Sequence, residues 1–176
     1  MNVPVLETPR LILREVRESD LDRCAAMTSD PDIMRYLSGG KTLTRDETWR
    51  NMAMLAGHWQ LRGYGYWSVI EKDSGFYVGR VGLWYPEGWP GREVGWTITK
   101  DRWRCGYAVE AAEAAVTHAF ETLGWEEIIS VIHVDNIASQ AVAAKLGERR
   151  LREIEIMGFP CAIHGMTRAE WRARRG

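Results

Sequence analysis

Cysteine is scarce in this chain. Cys24, Cys105 and Cys161 are the only three among 176 residues. An odd count without metal-ligand spacing excludes a disulfide framework and fits reduced thiols in a cytoplasmic protein. Long apolar runs are missing too: none approaches the ~20 residues that span a bilayer, and no secretory leader pattern opens the chain. Neither a membrane partner nor export is therefore expected. Excess charge of one sign is also absent. With 23 Lys and Arg against 24 Asp and Glu, the surface lacks the basic bias of a nucleic-acid binder. The Arg-rich end, Arg168 to Arg175, reads as a solvated helix face. His58 and His118 lie on helices without ligand spacing, so no metal is expected, and His133, late in a strand, reads as core packing rather than a proton carrier. No G-x-G-x-x-G follows a first strand, which argues against a dinucleotide-dependent oxidoreductase.

What is present reads as one domain over residues 1–176, long enough for a substantial core. A strand is expected over Arg10 to Val16, then a helix capped by Ser19 and running to about Thr28. Asp30-Pro31 starts a short helix, because proline suits the first helical position. Thr44 with Glu47 forms a capping box, and Trp49, Met52, Ala53, Ala56 and Trp59 follow at helical spacing up to Gly63. The period then changes. Tyr66 to Glu71 and Phe76 to Trp84 flank the turn Asp73-Ser74-Gly75. A loop from Pro86 to Gly91 precedes the strand Glu93 to Thr99. After a helix over Tyr107–Leu123 come the strand Ile128 to Val134, a helix from Asn136 to Gly147, and strands Arg150 to Met157 and Ala162 to Thr167. This order implies an α/β fold with a mixed sheet, antiparallel in its meander and parallel across the strand-helix-strand crossover.

Glu93 to Gly147 is the most informative stretch. Trp103-Arg104-Cys105-Gly106-Tyr107-Ala108 runs straight into Val109 and an Ala-rich helix. A helix N-terminus presents unpaired N–H groups and a partial positive charge, and small residues let a phosphate approach them. The bland reading is a glycine that eases entry into a buried helix. A second crevice follows the next strand, at Asp135-Asn136-Ile137-Ala138-Ser139. Together the two suggest a long phosphorylated ligand lying between two strands.

These motifs, with Leu6-Glu7-Thr8-Pro9-Arg10-Leu11-Ile12-Leu13-Arg14 and Met166-Thr167-Arg168-Ala169-Glu170-Trp171 at the chain ends, resemble the GNAT superfamily of acyl-CoA N-acyltransferases. Within it they are most similar to the ribosomal-protein N-terminal acetyltransferases. The resemblance implies a single GNAT-like domain, a mostly antiparallel sheet splayed at two parallel strands, helices on both faces, and acetyl-CoA as donor. It places the pyrophosphate on the backbone of Trp103, Arg104, Cys105, Gly106, Tyr107, Ala108 and Val109. The branch usually has Gly at position 104 and a cation at 105. Arg104 or Arg102 can stand in for that cation, or both can be solvated; a positive φ at 104 would strain an arginine.

Direct transfer needs a neutral amine, donors for the oxyanion and an exit for the thiolate. Glu93 matches the family's E-[IV]-G glutamate, a frequent general base; its bland alternative is an ion pair with Arg92 or Arg80. Glu87 is a weaker candidate. The strand Val94, Gly95, Trp96, Thr97 and Ile98 should face the pantetheine and thioester, with Gly95 marking a bulge or a close approach. Asn136 matches the family's asparagine beside the pantetheine arm and is equally a helix cap. Ser139 matches the accompanying serine, or is an ordinary first-turn residue. The usual tyrosine acid is missing, since Ala143, Ala144 and Lys145 occupy its helix, so Ser139 or water must protonate the thiolate. Glu148 replaces the phenylalanine common after K-L-G. Trp84, Tyr85 and Trp89 are expected to line the acceptor pocket, with the Tyr36 to Gly63 region enclosing it. Cys105 reads as a passive loop residue, because no activating His–acid pair marks it.

The expected activity is acetyl transfer from acetyl-CoA to a primary amine, a peptide N-terminus or a small molecule. A non-catalytic acyl-CoA-binding or scaffolding domain is the alternative, and a homodimer is common in the family.

Overall fold

The computed structural model describes residues 3–175. Eight strands form one sheet in the order β1-β2-β3-β4-β5-β6-β8-β7. They are β1 (Leu6–Glu7), β2 (Leu11–Arg14), β3 (Tyr66–Glu71), β4 (Tyr77–Trp84), β5 (Glu93–Ile98), β6 (Glu127–His133), β7 (Arg149–Ile156) and β8 (Phe159–Thr167). Every pairing is antiparallel except β5 with β6. That parallel pair registers at a single position, Glu93 opposite Ile129. Beyond it the strands part, and the opening carries the site.

The helices are α1 (Leu21–Thr28), α2 (Pro31–Met34), α3 (Arg45–Arg62), α4 (Tyr107–Thr117), α5 (Ile137–Leu146) and α6 (Arg168–Ala173). One face of the sheet packs on α4: Ala111, Ala112, Ala115 and Val116 are fully buried against Leu11, Leu13, Val69, Val81 and Val94. The alanines let this helix lie close to the strands. The other face meets α1, α2 and α3 through Cys24, Met27, Ile33, Met52 and Tyr77. Past Thr117, α4 continues as a π-helical turn over His118–Thr122.

Several local expectations change. Ser19 does not cap α1; a 3-10 turn, Glu18–Asp20, leads into it. Asp20 is buried there, accepting from both Arg14 guanidinium nitrogens, Ser68 Oγ and the Arg17 N–H. The apolar stripe of α3 is rotated from the expected one. Thr48, Met52, Leu55, His58 and Trp59 are buried, whereas Trp49 is 47% exposed with its indole N–H on Glu18. Trp49 was misplaced because a tryptophan can cover a surface while donating its N–H to a partner there. The Thr44–Glu47 capping box and the Asp30 cap are formed.

Candidate active site

The turn after β5 is held from three sides. Trp103 donates its indole N–H to the Ile98 carbonyl at 2.8 Å. Arg10 donates to the Cys105 carbonyl at 3.0 Å while pairing with Glu110 in the first turn of α4. Tyr107, the first residue of α4, donates its hydroxyl to Glu71, which also accepts from Arg102 and Ser74. These three donors hold the Glu71 carboxyl down at about 2. Arg102 thus pairs with Glu71 while also lining the cavity described below, and Arg104 is the cation the turn itself offers. Gly106 caps the helix at φ 82 and Arg104 sits at φ 63. The left-handed conformation at 104 is thus required, and an arginine bears its strain. The N–H groups of Tyr107, Ala108 and Val109 open the helix, where no preceding turn supplies acceptors.

These residues line a cavity of about 740 Å³ bounded by the end of β5, the start of α4, α2 and α5. Trp96, Thr97 and Ile98 line it from β5, Trp103, Arg104, Gly106, Tyr107, Ala108 and Val109 from the turn, and Asn136 and Ser139 from α5. Glu93, Trp84, Tyr85 and Trp89 are not on its wall, and three of the residues expected to hold the cofactor do not line it either. Val94 is fully buried toward α4, Gly95 lies under the Tyr66 hydroxyl, and Cys105 turns outward. A Cβ on Gly95 would lie 2.0 Å from that hydroxyl, so the close approach comes from the protein itself. The rest of the wall includes Tyr36 and Leu37, from the region expected to enclose the acceptor, and Arg102; Asp32, Ile33 and Arg35 around α2, and Lys145 of α5, were not anticipated. Tyr36 therefore stands against this cavity. Lys145 was visible only as a missing tyrosine.

Asn136 caps α5, its Oδ1 accepting from the Ser139 N–H at 3.1 Å. The Ser139 Oγ accepts from the Trp96 indole at 3.3 Å, a bridge across the opening from β5 to α5. Both residues are therefore structural and also exposed to whatever fills the cavity.

Glu93 lies at the point where the strands part. It is 7% exposed, and its pKa is raised to about 8 by burial, only partly offset by two N–H donors. Trp89 donates its indole N–H to Oε2 at 2.5 Å, and the Val131 N–H donates to Oε1 at 3.3 Å. Neither expected ion pair exists: Arg80 bonds Asn51, and Arg92 lies over the Trp125 ring. In a continuous parallel ladder, the Ile129 N–H to Arg92 carbonyl bond at 2.9 Å would be followed by Val131 N–H to the Val94 carbonyl. Here the Glu93 carboxylate takes the N–H, and Ser130 Oγ takes the carbonyl at 2.8 Å. Two side chains replace one backbone rung, and the strands diverge there.

On the β4–β5 loop, Trp84 stacks on His58 at 4.5 Å between centroids. The Tyr85 N–H donates to His58 Nε2 at 3.3 Å, so Nδ1 carries the proton and donates to the Tyr64 carbonyl at 2.8 Å. Burial lowers the His58 pKa, consistent with this neutral tautomer. Of the three expected pocket aromatics, Trp89 touches Glu93, whereas Trp84 and Tyr85 fix the loop onto α3. His133 packs between Tyr36 and Phe159, its Nδ1 accepting from the Asp135 N–H. Glu87 is exposed beside Arg62. Among the described residues, no helix is long and apolar enough to cross a membrane.

The family model for the acetyltransferase (GNAT) domain matches residues 10–149. This chain belongs to the GNAT acetyltransferase family. An uncharacterized N-acetyltransferase of Bacillus subtilis, YoaA, is 28% identical to this GNAT chain over 145 residues, covering 82% of each. The crystal structure of an acetyltransferase from Agrobacterium tumefaciens superposes with a TM-score of 0.85 at 25% identity, over 96% of each chain. RimL, a ribosomal L7/L12 alpha-N-protein acetyltransferase solved with coenzyme A, superposes at 0.79 over 93% of this chain and 98% of its own. At 16% identity that last likeness concerns the fold. GNAT membership implies acetyl transfer from acetyl-CoA.

Proposed function

We propose that this chain transfers an acetyl group directly from acetyl-CoA to a primary amine, with Glu93 as general base. The observation that carries this reading is the Glu93 carboxyl, buried where the strands part and tuned to about 8. A base is most effective when its pKa lies near the working pH, and a peptide α-amino group titrates near 8 as well. The amine nitrogen bonds to the thioester carbonyl carbon, and Glu93 takes the amine proton directly or through one water. The carbon–sulfur bond then breaks, and its electron pair leaves on the sulfur as a thiolate, which takes a proton from Ser139 or water.

The turn residues Arg104 to Val109 are assigned to the pyrophosphate through backbone N–H groups, with Arg104 and Lys145 as flanking cations. Asn136 and Ser139 are assigned to the pantetheine arm, and the Trp96 to Ile98 edge to the thioester. Cys105 is exposed and outside the cavity, which supports transfer without an acyl-enzyme. For the acceptor, the reading favours a peptide N-terminus, as with RimL, over a small-molecule amine. Tyr36 lines the cavity on that side, backed by the His133 ring, which packs against it.

Calorimetric titration with acetyl-CoA, followed by a panel of N-terminal peptides, amino acids and polyamines read by product mass, tests the reading. Micromolar binding with acetylation of a peptide α-amine is expected. Acetyl-CoA binding with no acetylation of any amine would instead identify a non-catalytic acyl-CoA-binding domain.

A further inference from the structure

The rung that divides β5 from β6 contains a second buried acid, which acetyl transfer as described does not use. Glu148 follows the C-terminus of α5, where the Gly147 and Glu148 N–H groups bond back to Ala144 and Ala143 in a Schellman pattern. The residue in this slot usually makes an apolar contact. Here it is a carboxyl, 5% exposed.

Its hydrogen bonding constrains its proton. Glu148 Oε1 lies 3.0 Å from Ser130 Oγ, and the same Oγ lies 2.8 Å from the Val94 carbonyl oxygen. Glu148 Oε2 is buried without a partner. A serine hydroxyl has one proton to donate, and a backbone carbonyl can only accept. If Ser130 donates to Val94, contact with an ionised Glu148 sets two acceptors against each other. If Glu148 is protonated, its O–H donates to Ser130 and the chain of bonds closes. Glu93 has the opposite surroundings, since both its oxygens face N–H donors. Burial raises both acids, but the hydrogen-bond partners favour charge on Glu93 and a proton on Glu148.

We propose that Glu148 is a positioning residue acting as a neutral acid. By donating to Ser130 it aims the serine proton at the Val94 carbonyl, keeping that carbonyl off the Val131 N–H and leaving the N–H to Glu93. The catalytic part of this inference rests on Glu93 being the base. Burial raises the Glu148 pKa to about 8, and the charge of Glu93 pushes in the same direction. The other titratable groups nearby do not supply a counter-charge. His164, across from Ser130 on β8, has its pKa lowered by burial, and burial raises the Cys161 thiol. Arg150, across from His164, lowers the histidine further and pairs with Glu153.

The test compares Glu148→Gln, Glu148→Ala and Ser130→Ala by infrared difference spectroscopy and by kcat and KM against pH. The wild-type minus Glu148→Gln difference at pH 6 should show the carbonyl band of a protonated carboxylic acid. Glu148→Ala and Ser130→Ala should each lower kcat at least about tenfold, with the acetyl-CoA KM within about threefold of wild type. Both should move the rate pKa of Glu93 upward, because the Val131 donor is lost. Glu148→Gln, whose amide N–H can donate to Ser130, should restore kcat to within about threefold. Absence of the protonated-acid band at pH 6 would overturn the proposal. So would Gln performing no better than Ala, or Ala and wild type sharing one kcat and one pH profile. Should Glu148→Ala not fold, Ser130→Ala and the infrared band decide. Full kcat in Glu93→Gln would sink the base reading alone, since the infrared experiment needs no activity.

Discussion

The two ends of β5 work by opposite means. After its last residue, the Trp103–Val109 turn offers backbone N–H groups. At its first residue, the rung of Glu93, Ser130 and Glu148 offers side chains buried from water. A site made of backbone should tolerate changes of side chain, such as Arg104 and Cys105, so long as the helix still starts at Gly106. A site made of buried side chains does not, because each lost partner leaves a polar group unsatisfied. The comparison predicts that substitutions at the turn act on binding and substitutions at the rung act on turnover.

Glu93→Gln should give the largest effect. Turnover should fall about 10²- to 10⁴-fold, the usual contribution of a general base, with acetyl-CoA affinity unchanged by calorimetry. At the other end, Gly106→Val puts a β-branched residue at φ 82, so the helix start must shift. Acetyl-CoA affinity should drop at least about tenfold, with kcat at saturation nearly kept. Equal losses of binding and turnover in both variants would erase the distinction.

A pH series sharpens it. The rate should rise with pH through Glu93's value of about 8 and then level. Stability should do the reverse. Glu93 and Glu148 hold their protons more tightly folded than unfolded, where the ordinary value is 4.5. Their contribution to stability is therefore complete below about pH 4.5 and is lost as pH rises toward 8. Urea titrations of Glu148→Gln between those limits should show a flatter dependence than wild type.

Arg104→Gly is the smallest change expected to register. It relieves a left-handed arginine but adds freedom to the unfolded chain, so stability should rise by about 1 kcal/mol or less, read as a small upward shift in Tm.

The turn was legible in the sequence and the rung only half so. Gly106 ahead of an alanine-rich helix, with Asn136 opening the next, carries its meaning locally, because capping and phosphate approach depend on neighbours in the chain. Glu93 could be found from its match to the family's E-[IV]-G pattern at the head of a strand. Its true partners could not, since Trp89 and Val131 reach it only through the tertiary fold, and the expected arginines are occupied elsewhere. Ser130 looked like one more strand residue, and Glu148 registered only as an odd residue after K-L-G. Tyr36 came only with the family resemblance, while Asp32, Arg35 and Lys145 are brought to the cavity by α2 and α5, which no local period foretells. The α3 stripe shows the same limit: helical spacing gave the helix, but tertiary packing decided which side to bury.

The central claim is most directly tested by single-turnover acetyl transfer in Glu93→Gln saturated with acetyl-CoA, followed across pH 6 to 10 beside wild type. Saturation at the wild-type concentration, a rate at least about 100-fold slower and no inflection near 8 are predicted. A wild-type rate with the inflection intact would show that the base lies elsewhere and that the buried carboxyl only shapes the strand opening.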